Sequence, residues 1–221
     1  MSPRPGAGTE VALELDVERG TRHLRRRDPA MRELIKRLGP LDLESRRRGR
    51  PADAYGALLR SIVGQQLSTK AARSIYERVT GLFGGGTPSP EELLAVEPET
   101  LRGAGLSRAK VTYMRSLAEH VIDGSLELDR LHELGDDEIV AELTAVKGLG
   151  VWTAHMFLIF HLQRPDVLPV GDLGVRNAAR ALYDLEELPT PAELTELGEP
   201  WRPHRSLASL YLWRSLDNEP T

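Results

Sequence analysis

A chain of 221 residues can form one compact domain or two small lobes, and its zero cysteines exclude a disulfide framework, a thiolate zinc site and a cysteine-ligated iron–sulfur cluster. No apolar run approaches the roughly 20 residues that cross a bilayer, and the opening MSPRPGAGTE lacks a basic stretch leading into an apolar one, so a cytoplasmic protein is expected, with no membrane partner. The formal net charge of −4 argues weakly against nucleic acid, but it is unevenly spread: Thr21 to Arg50 holds 11 Lys or Arg against 4 Asp or Glu, whereas Asp184 to Glu199 holds 6 acids and no base.

Residues 1–20, rich in Gly, Pro and Glu with no sustained period, predict a partly ordered arm or a short strand at Val11–Leu15. Helical periodicity begins at Asp28, where Pro29 opens a helix that carries Met31, Leu34, Ile35 and Leu38 on one stripe and stops at Gly39-Pro40. Ala52 to Val79 reads as two tightly joined helices. Leu58, Leu59, Ile62, Val63 and Leu67 share a face of the first, and Ala71, Ala72, Ile75 and Val79 follow a Ser68-Thr69 start signal. Gly84 to Pro88 is a loop, and Ser89-Pro90-Glu91-Glu92 combines a cap, an N1 proline and early acids. Further helices are predicted over 97–102, 107–124, 136–144, 150–162, 173–182, 191–197 and 203–216. Nothing of comparable length alternates with period two, so the fold class is mainly α.

Two segments carry chemistry. The first, Leu143-Thr-Ala-Val-Lys-Gly-Leu-Gly-Val-Trp-Thr-Ala-His-Met-Phe, reads as a helix, a turn on Gly148 and Gly150, and a second helix. Glycines permit conformations closed to other residues and let a phosphate approach the main chain. The free N–H groups and positive dipole end of the second helix then make an anion site without a basic side chain. Alone, such a pair is equally an ordinary helix–helix turn. The second segment, Leu168-Pro-Val-Gly-Asp-Leu-Gly-Val-Arg-Asn, places Asp172 just before a new helix, where an isolated aspartate is most simply an N-cap.

In that order, the hairpin glycines, the intervening helix and the Pro-x-Gly-Asp segment resemble the signature of the helix-hairpin-helix DNA glycosylases. The resemblance runs from about Tyr55 to Trp213. Ser61-Ile-Val-Gly-Gln-Gln-Leu-Ser-Thr-Lys-Ala-Ala is similar to the family's duplex-probing wedge, which puts Gln66 at the intercalating position. Leu101-Arg-Gly-Ala-Gly-Leu-Ser-Arg-Ala-Lys resembles its preceding helix–turn segment, and Trp201-Arg-Pro-His-Arg-Ser-Leu-Ala-Ser-Leu-Tyr-Leu-Trp the last helix of the 3-methyladenine DNA glycosylase II branch. The resemblance implies a helical bundle over residues 21–221 with two lobes, roughly 61–168 and 21–60 plus 169–221, and a cleft between them. With about 50 residues before Tyr55, a compact form is expected, without the large N-terminal β domain found in many bacterial members.

The resemblance also implies roles. Asp172 is the catalytic carboxylate; Trp152, Met156 and Trp213 line the base pocket; and Lys147, Gly148, Gly150 and Thr153 join Gln66 in binding DNA. Main-chain carbonyls of Thr144, Val146 and Leu149 offer a site for a structural Na or K ion, and no cofactor is required. Trp152 stands where the family's glycosylase/lyases carry a lysine nucleophile, so hydrolysis by water is expected, without strand cleavage. Met156 departs from the aromatic found at its position in the best-known branch member, so a softer wall and a different selectivity are expected. Double-stranded DNA carrying alkylated bases is the expected partner, met by a monomer in the bacterial cytoplasm or nucleoid. The alternatives are a non-catalytic helix-hairpin-helix DNA-binding protein and a helical protein-interaction domain. A purely binding module has no use for a carboxylate aimed at phosphate.

Overall fold

The computed structural model describes residues 15–43 and 50–216. Its α-helices, in chain order, are α1 (Val17–Arg27), α2 (Pro29–Leu38), α3 (Ala54–Gly64), α4 (Thr69–Gly81), α5 (Pro90–Ala95), α6 (Pro98–Gly103), α7 (Arg108–Ile122), α8 (Asp136–Ala145), α9 (Val151–Phe160), α10 (Leu173–Leu182), α11 (Pro191–Leu197) and α12 (Arg205–Ser215). Short 3-10 helices cover Leu128–Glu133 and Glu199–Trp201. No strand occurs among the described residues. Of the strand expected at Val11–Leu15, only Leu15 lies within them, and it is not in a strand.

The helices sort into two groups by their packing. In one, α3 packs on α4, α7 and α9, α7 receives α5 and α6, and α8 lies on α9. In the other, α2 packs on α1, α10 and α12, with α1 and α10 also against α12. α3 packs whole within the first group, where Leu58, Leu59, Ile62 and Val63 bury one continuous face.

Of the arm expected over residues 1–20, residues 1–14 lie outside the described residues. Asp16 accepts a hydrogen bond from the Arg19 amide at 2.9 Å and caps α1, so residues 17–20 are already helical. Only Gly20 and Leu24 of α1 are buried, a stripe too narrow to read by periodicity. Gly20 sits where a Cβ would lie 2.7 Å from the Leu207 side chain, so its lack of one lets α1 close onto α12.

Asp28 ties the second group together. It is 5% exposed, caps α2 by accepting from the amides of Ala30 (2.8 Å) and Met31 (3.1 Å), and accepts from the indole Nε1 of Trp201 (2.8 Å) and the hydroxyl of Tyr183. Four donors make a buried carboxylate tolerable. Burial, reinforced by this carboxylate, pushes the Tyr183 hydroxyl far above its ordinary range. Asp28→Ala is expected to lower stability by about 3 kcal/mol, combining a lost cap with a buried indole N–H left unpaired. Urea unfolding checks it; a loss below about 1 kcal/mol would assign the anchoring to apolar packing alone.

Stability should also depend on pH. His204, buried between α1 and α12, has its pKa lowered by burial and, secondarily, by His23 and Arg19, with the His23 ring centroid 5.2 Å away. Burial likewise lowers that of His155 in α9. Both groups start from an ordinary value of 6.5, so at lower pH the unfolded chain binds more protons than the folded one. Their contribution is complete above that value and is lost as pH falls through the depressed folded values. The thermal midpoint should therefore hold at and above about pH 7 and decline below about 6.5, with a shallower decline in His204→Gln. An identical decline in that variant would remove His204 from the effect.

Candidate active site

The glycine turn predicted after Leu143 is present. α8 ends at Ala145 and α9 starts at Val151; Val146 and Leu149 are buried and pin the turn, whereas Lys147 and Gly150 face solvent. Gly148 has φ +92°, and a Cβ there would fall 2.1 Å from the Tyr113 ring on α7. Its glycine is thus required twice, by backbone and by close approach. Gly150 is the N-cap of α9 and has nothing within 4 Å of where a Cβ would be. No side chain caps this helix, and the first amide bonded back to the turn is that of Ala154, to the Gly150 carbonyl at 3.0 Å. The amides of Val151, Trp152 and Thr153 are therefore the helix's orphan donors. The Thr153 side chain is 3% exposed, so its part in such a site rests on its amide.

The chain then crosses between the two groups through a fastened loop. Arg164 donates to the carbonyls of His132 (3.0 Å) and Leu134 (2.8 Å), and Asp166 takes ion pairs from Arg202 and Arg205, each at 2.8 Å. Ser206 Oγ donates to the Arg164 carbonyl at 2.6 Å and accepts from the Val167 amide at 2.9 Å. This fastening delivers Asp172 to a fixed place.

Asp172 is the N-cap of α10 and is 9% exposed. Its Oδ1 accepts from the Val175 amide and from Trp213 Nε1, both at 2.8 Å, and its Oδ2 accepts from Trp152 Nε1 at 2.6 Å. Asp172 is thus the expected cap and more tightly held than a cap alone: one oxygen serves the helix and the Trp213 indole, and the other accepts from the indole of α9. Three N–H donors fix the carboxylate plane. The second glycine of the segment matters as well, since a Cβ at Gly174 would lie 3.0 Å from Asp172 Oδ1 and 3.1 Å from Trp213 Cδ1.

Of the three expected pocket residues, Trp152 is 36% exposed, Met156 is 4% exposed and Trp213 is 1% exposed. Trp213 stacks on Phe160 at 5.8 Å between centroids, so in this state it backs the site and orients the carboxylate. Met156 and Phe160 line a concavity with Arg50, Arg60 and Ser61, in which the Arg50 guanidinium sits 4.4 Å from the Phe160 ring centroid. Burial lowers the pKa of Arg60. Gln66 is exposed in the loop between α3 and α4, with the left-handed φ of +58°. The carbonyls of Thr144, Val146 and Leu149 all belong to the last turn of α8 and the turn beyond it. No cluster of His, Cys, Asp or Glu suited to a metal occurs among the described residues, and no helix among them is long and apolar enough to cross a membrane.

Sequence reasoning missed Phe160, Tyr113, Gly174 and Gln65. Phe160 stood inside an apolar run with nothing to mark it, and Tyr113 is distant in sequence from the glycine it seats. Gly174 was visible as the second glycine around Asp172, a spacing that could have flagged close approach.

A helical domain in which a glycine-turned hairpin is followed by a capping aspartate between two indoles defines a class, and comparison places the chain within it. The model of the HhH-GPD superfamily base excision DNA repair proteins matches residues 59–203. DNA-3-methyladenine glycosylase 1 of Schizosaccharomyces pombe is 34% identical over 87% of this chain and 85% of its own length. Among solved structures, the S. pombe 3-methyladenine DNA glycosylase in complex with abasic DNA superposes with a TM-score of 0.81 at 32% identity, covering 92% of this chain and 98% of that one. A DNA-3-methyladenine glycosidase from Bacillus halodurans gives a TM-score of 0.77 at 39% identity, covering 89% and 88%. The chain belongs to the HhH-GPD superfamily of base excision DNA repair proteins.

Proposed function

We propose that this protein is a monofunctional DNA glycosylase that hydrolyses the N-glycosidic bond of alkylated purines, of the 3-methyladenine and 7-methylguanine type, in duplex DNA. The observation that carries this reading is the Asp172 carboxylate, held by the N–H groups of Val175, Trp213 and Trp152, with Trp152 itself in the first turn of the uncapped hairpin helix. One residue therefore connects an anion-binding backbone to a carboxylate.

The chemistry follows from charge. Alkylation at N3 or N7 makes the base cationic and a better leaving group, so little acid catalysis is needed. As the base departs, positive charge develops on the deoxyribose. A carboxylate beside the sugar stabilises it and can orient or deprotonate the water that attacks C1′. The exposed indole of Trp152 offers the cationic base a face, a contact that contributes roughly 0.5–2 kcal/mol. Gln66 fills the stack left by the flipped nucleotide, whose extrusion is least costly at damaged pairs.

Position 152 holds an indole in place of an amine, and Lys147 stands exposed before the glycines, which supports water as the sole nucleophile. The carbonyls of Thr144, Val146 and Leu149 are neutral oxygens at the end of α8 and in the turn beyond it, a donor type that suits a monovalent cation, with the Val146 carbonyl also accepting from the Leu149 amide. Such an ion would add positive charge beside the phosphate-binding turn. The protein acts as a monomer.

The test is to incubate the protein with duplexes containing 7-methylguanine or 3-methyladenine and assay free base, strand breaks before and after alkali, and borohydride trapping. Free base, breaks only after alkali and no trapped adduct are expected. Binding without base release would leave a DNA-binding module, and a trapped adduct would overturn the monofunctional assignment.

A further inference from the structure

The wedge loop and the hairpin are joined directly. Gln65, the last residue before the exposed Gln66, donates from Nε2 to the carbonyl of Gly148 at 2.8 Å, across 83 positions of sequence. The next peptide N–H, that of Leu149, donates to the Val146 carbonyl at 3.1 Å. Both ends of the 148–149 peptide unit are therefore held, one by the hairpin itself and one by the probing loop.

Helix α7 supports both partners from below. Its Tyr113 ring seats Gly148, and one turn earlier Lys110 donates from Nζ to the carbonyl of Val63 at 2.7 Å, in the last turn of α3. Burial lowers the pKa of this ammonium. Residues three apart on a helix share a face, so one face of α7 fixes the end of α3 and the bend of the hairpin, and Gln65 closes the triangle between them. The loop needs such support. Gln66 holds a left-handed conformation that favours glycine, and strained residues persist only where their surroundings over-determine them.

We infer that Gln65 is a positioning residue that registers the intercalating loop with the phosphate-gripping hairpin, so that the backbone held by one presents its nucleotide to the other. This rests on the proposed glycosylase reading. Gln65 is assigned no contact with the lesion or the sugar. Its loss should therefore leave the grip on undamaged duplex in place and weaken base extrusion, since small misplacements in a reacting assembly are costly in rate.

The test compares the parent with Gln65→Met, of similar length but without a donor, and Gln65→Glu, whose carboxylate cannot donate to a carbonyl. Three quantities are measured: affinity for undamaged duplex by anisotropy, flipping by the fluorescence of 2-aminopurine placed beside a 7-methylguanine, and single-turnover base release. Both variants should bind undamaged duplex within about threefold of the parent, lose most of the 2-aminopurine signal, and release base about tenfold or more slowly. Parent-like flipping and release in Gln65→Met would overturn the proposal, as would equal losses in all three readouts, which mark a part of the hairpin alone. Thermal melting verifies folding, and if Gln65→Glu unfolds, Gln65→Met decides. Failure of the glycosylase reading is distinguishable, because the parent itself would then release no base.

Discussion

Asp172→Asn should reduce single-turnover base release by about 100-fold or more while leaving affinity for undamaged duplex near that of the parent. The substitution separates charge from architecture. Asparagine caps helices about as well as aspartate, so its carbonyl can still accept from the Val175 amide and Trp213 Nε1, the two bonds that Oδ1 accepts. The side-chain amide nitrogen would then face the Trp152 indole N–H, replacing a 2.6 Å hydrogen bond with two opposed donors. The stability loss should stay below about 2 kcal/mol. Asp172→Ala, by contrast, removes the cap and strands a buried indole, and should cost about 3 kcal/mol. Quenched-flow assays of free base, paired with anisotropy on undamaged duplex, check the first variant. Base release in Asp172→Asn within a few-fold of the parent would remove the carboxylate from the reaction.

The two hairpin glycines should fail in different ways. Gly148→Ala introduces a Cβ 2.1 Å from the Tyr113 ring at a φ of +92°. A left-handed alanine costs about 1–2 kcal/mol, and forcing a methyl into a packed aromatic seat adds about 1–3 kcal/mol. Stability and DNA affinity should therefore fall together, affinity by tenfold or more, about 1.4 kcal/mol or above. Gly150→Ala meets nothing within 4 Å and keeps an ordinary φ of −99°. It should melt within about 0.5 kcal/mol of the parent yet bind duplex several-fold more weakly, because its methyl stands at the mouth of the uncapped helix. Denaturant unfolding and anisotropy on both proteins make the comparison, and a Gly148→Ala protein as stable as the parent would contradict the packing described around Tyr113.

The helices that place the site were legible because each carries its own punctuation. Ser68, Ser89, Ser107 and Thr190 all cap the helices that follow them, and Gly148 and Gly150 mark the hairpin turn by their composition alone. Asp172 was legible as a cap, by its place just before a helical stretch. α1 was not, since Gly20 and Leu24 are its only buried residues and neither periodicity nor propensity distinguishes it from an arm. The depth of Trp213 was equally hidden. An aromatic near the end of a helix reads the same whether it lines a pocket or backs one, and only its contacts with Phe160 and Asp172 decide. Gln65 and Gln66 are adjacent and identical in type. The left-handed backbone at Gln66 turns one toward solvent and leaves the other facing Gly148, a distinction made by tertiary contact.

A carboxylate at position 172 that stabilises positive charge on the sugar of a flipped nucleotide should distinguish two duplexes, one with a pyrrolidine abasic analogue, cationic at the ring nitrogen, and one with the neutral tetrahydrofuran analogue, when their affinities are compared. The parent should prefer the cation by about tenfold or more, as binding tuned to a charged transition state requires, and Asp172→Asn should bind the two alike. A preference of equal size in both proteins would contradict the account.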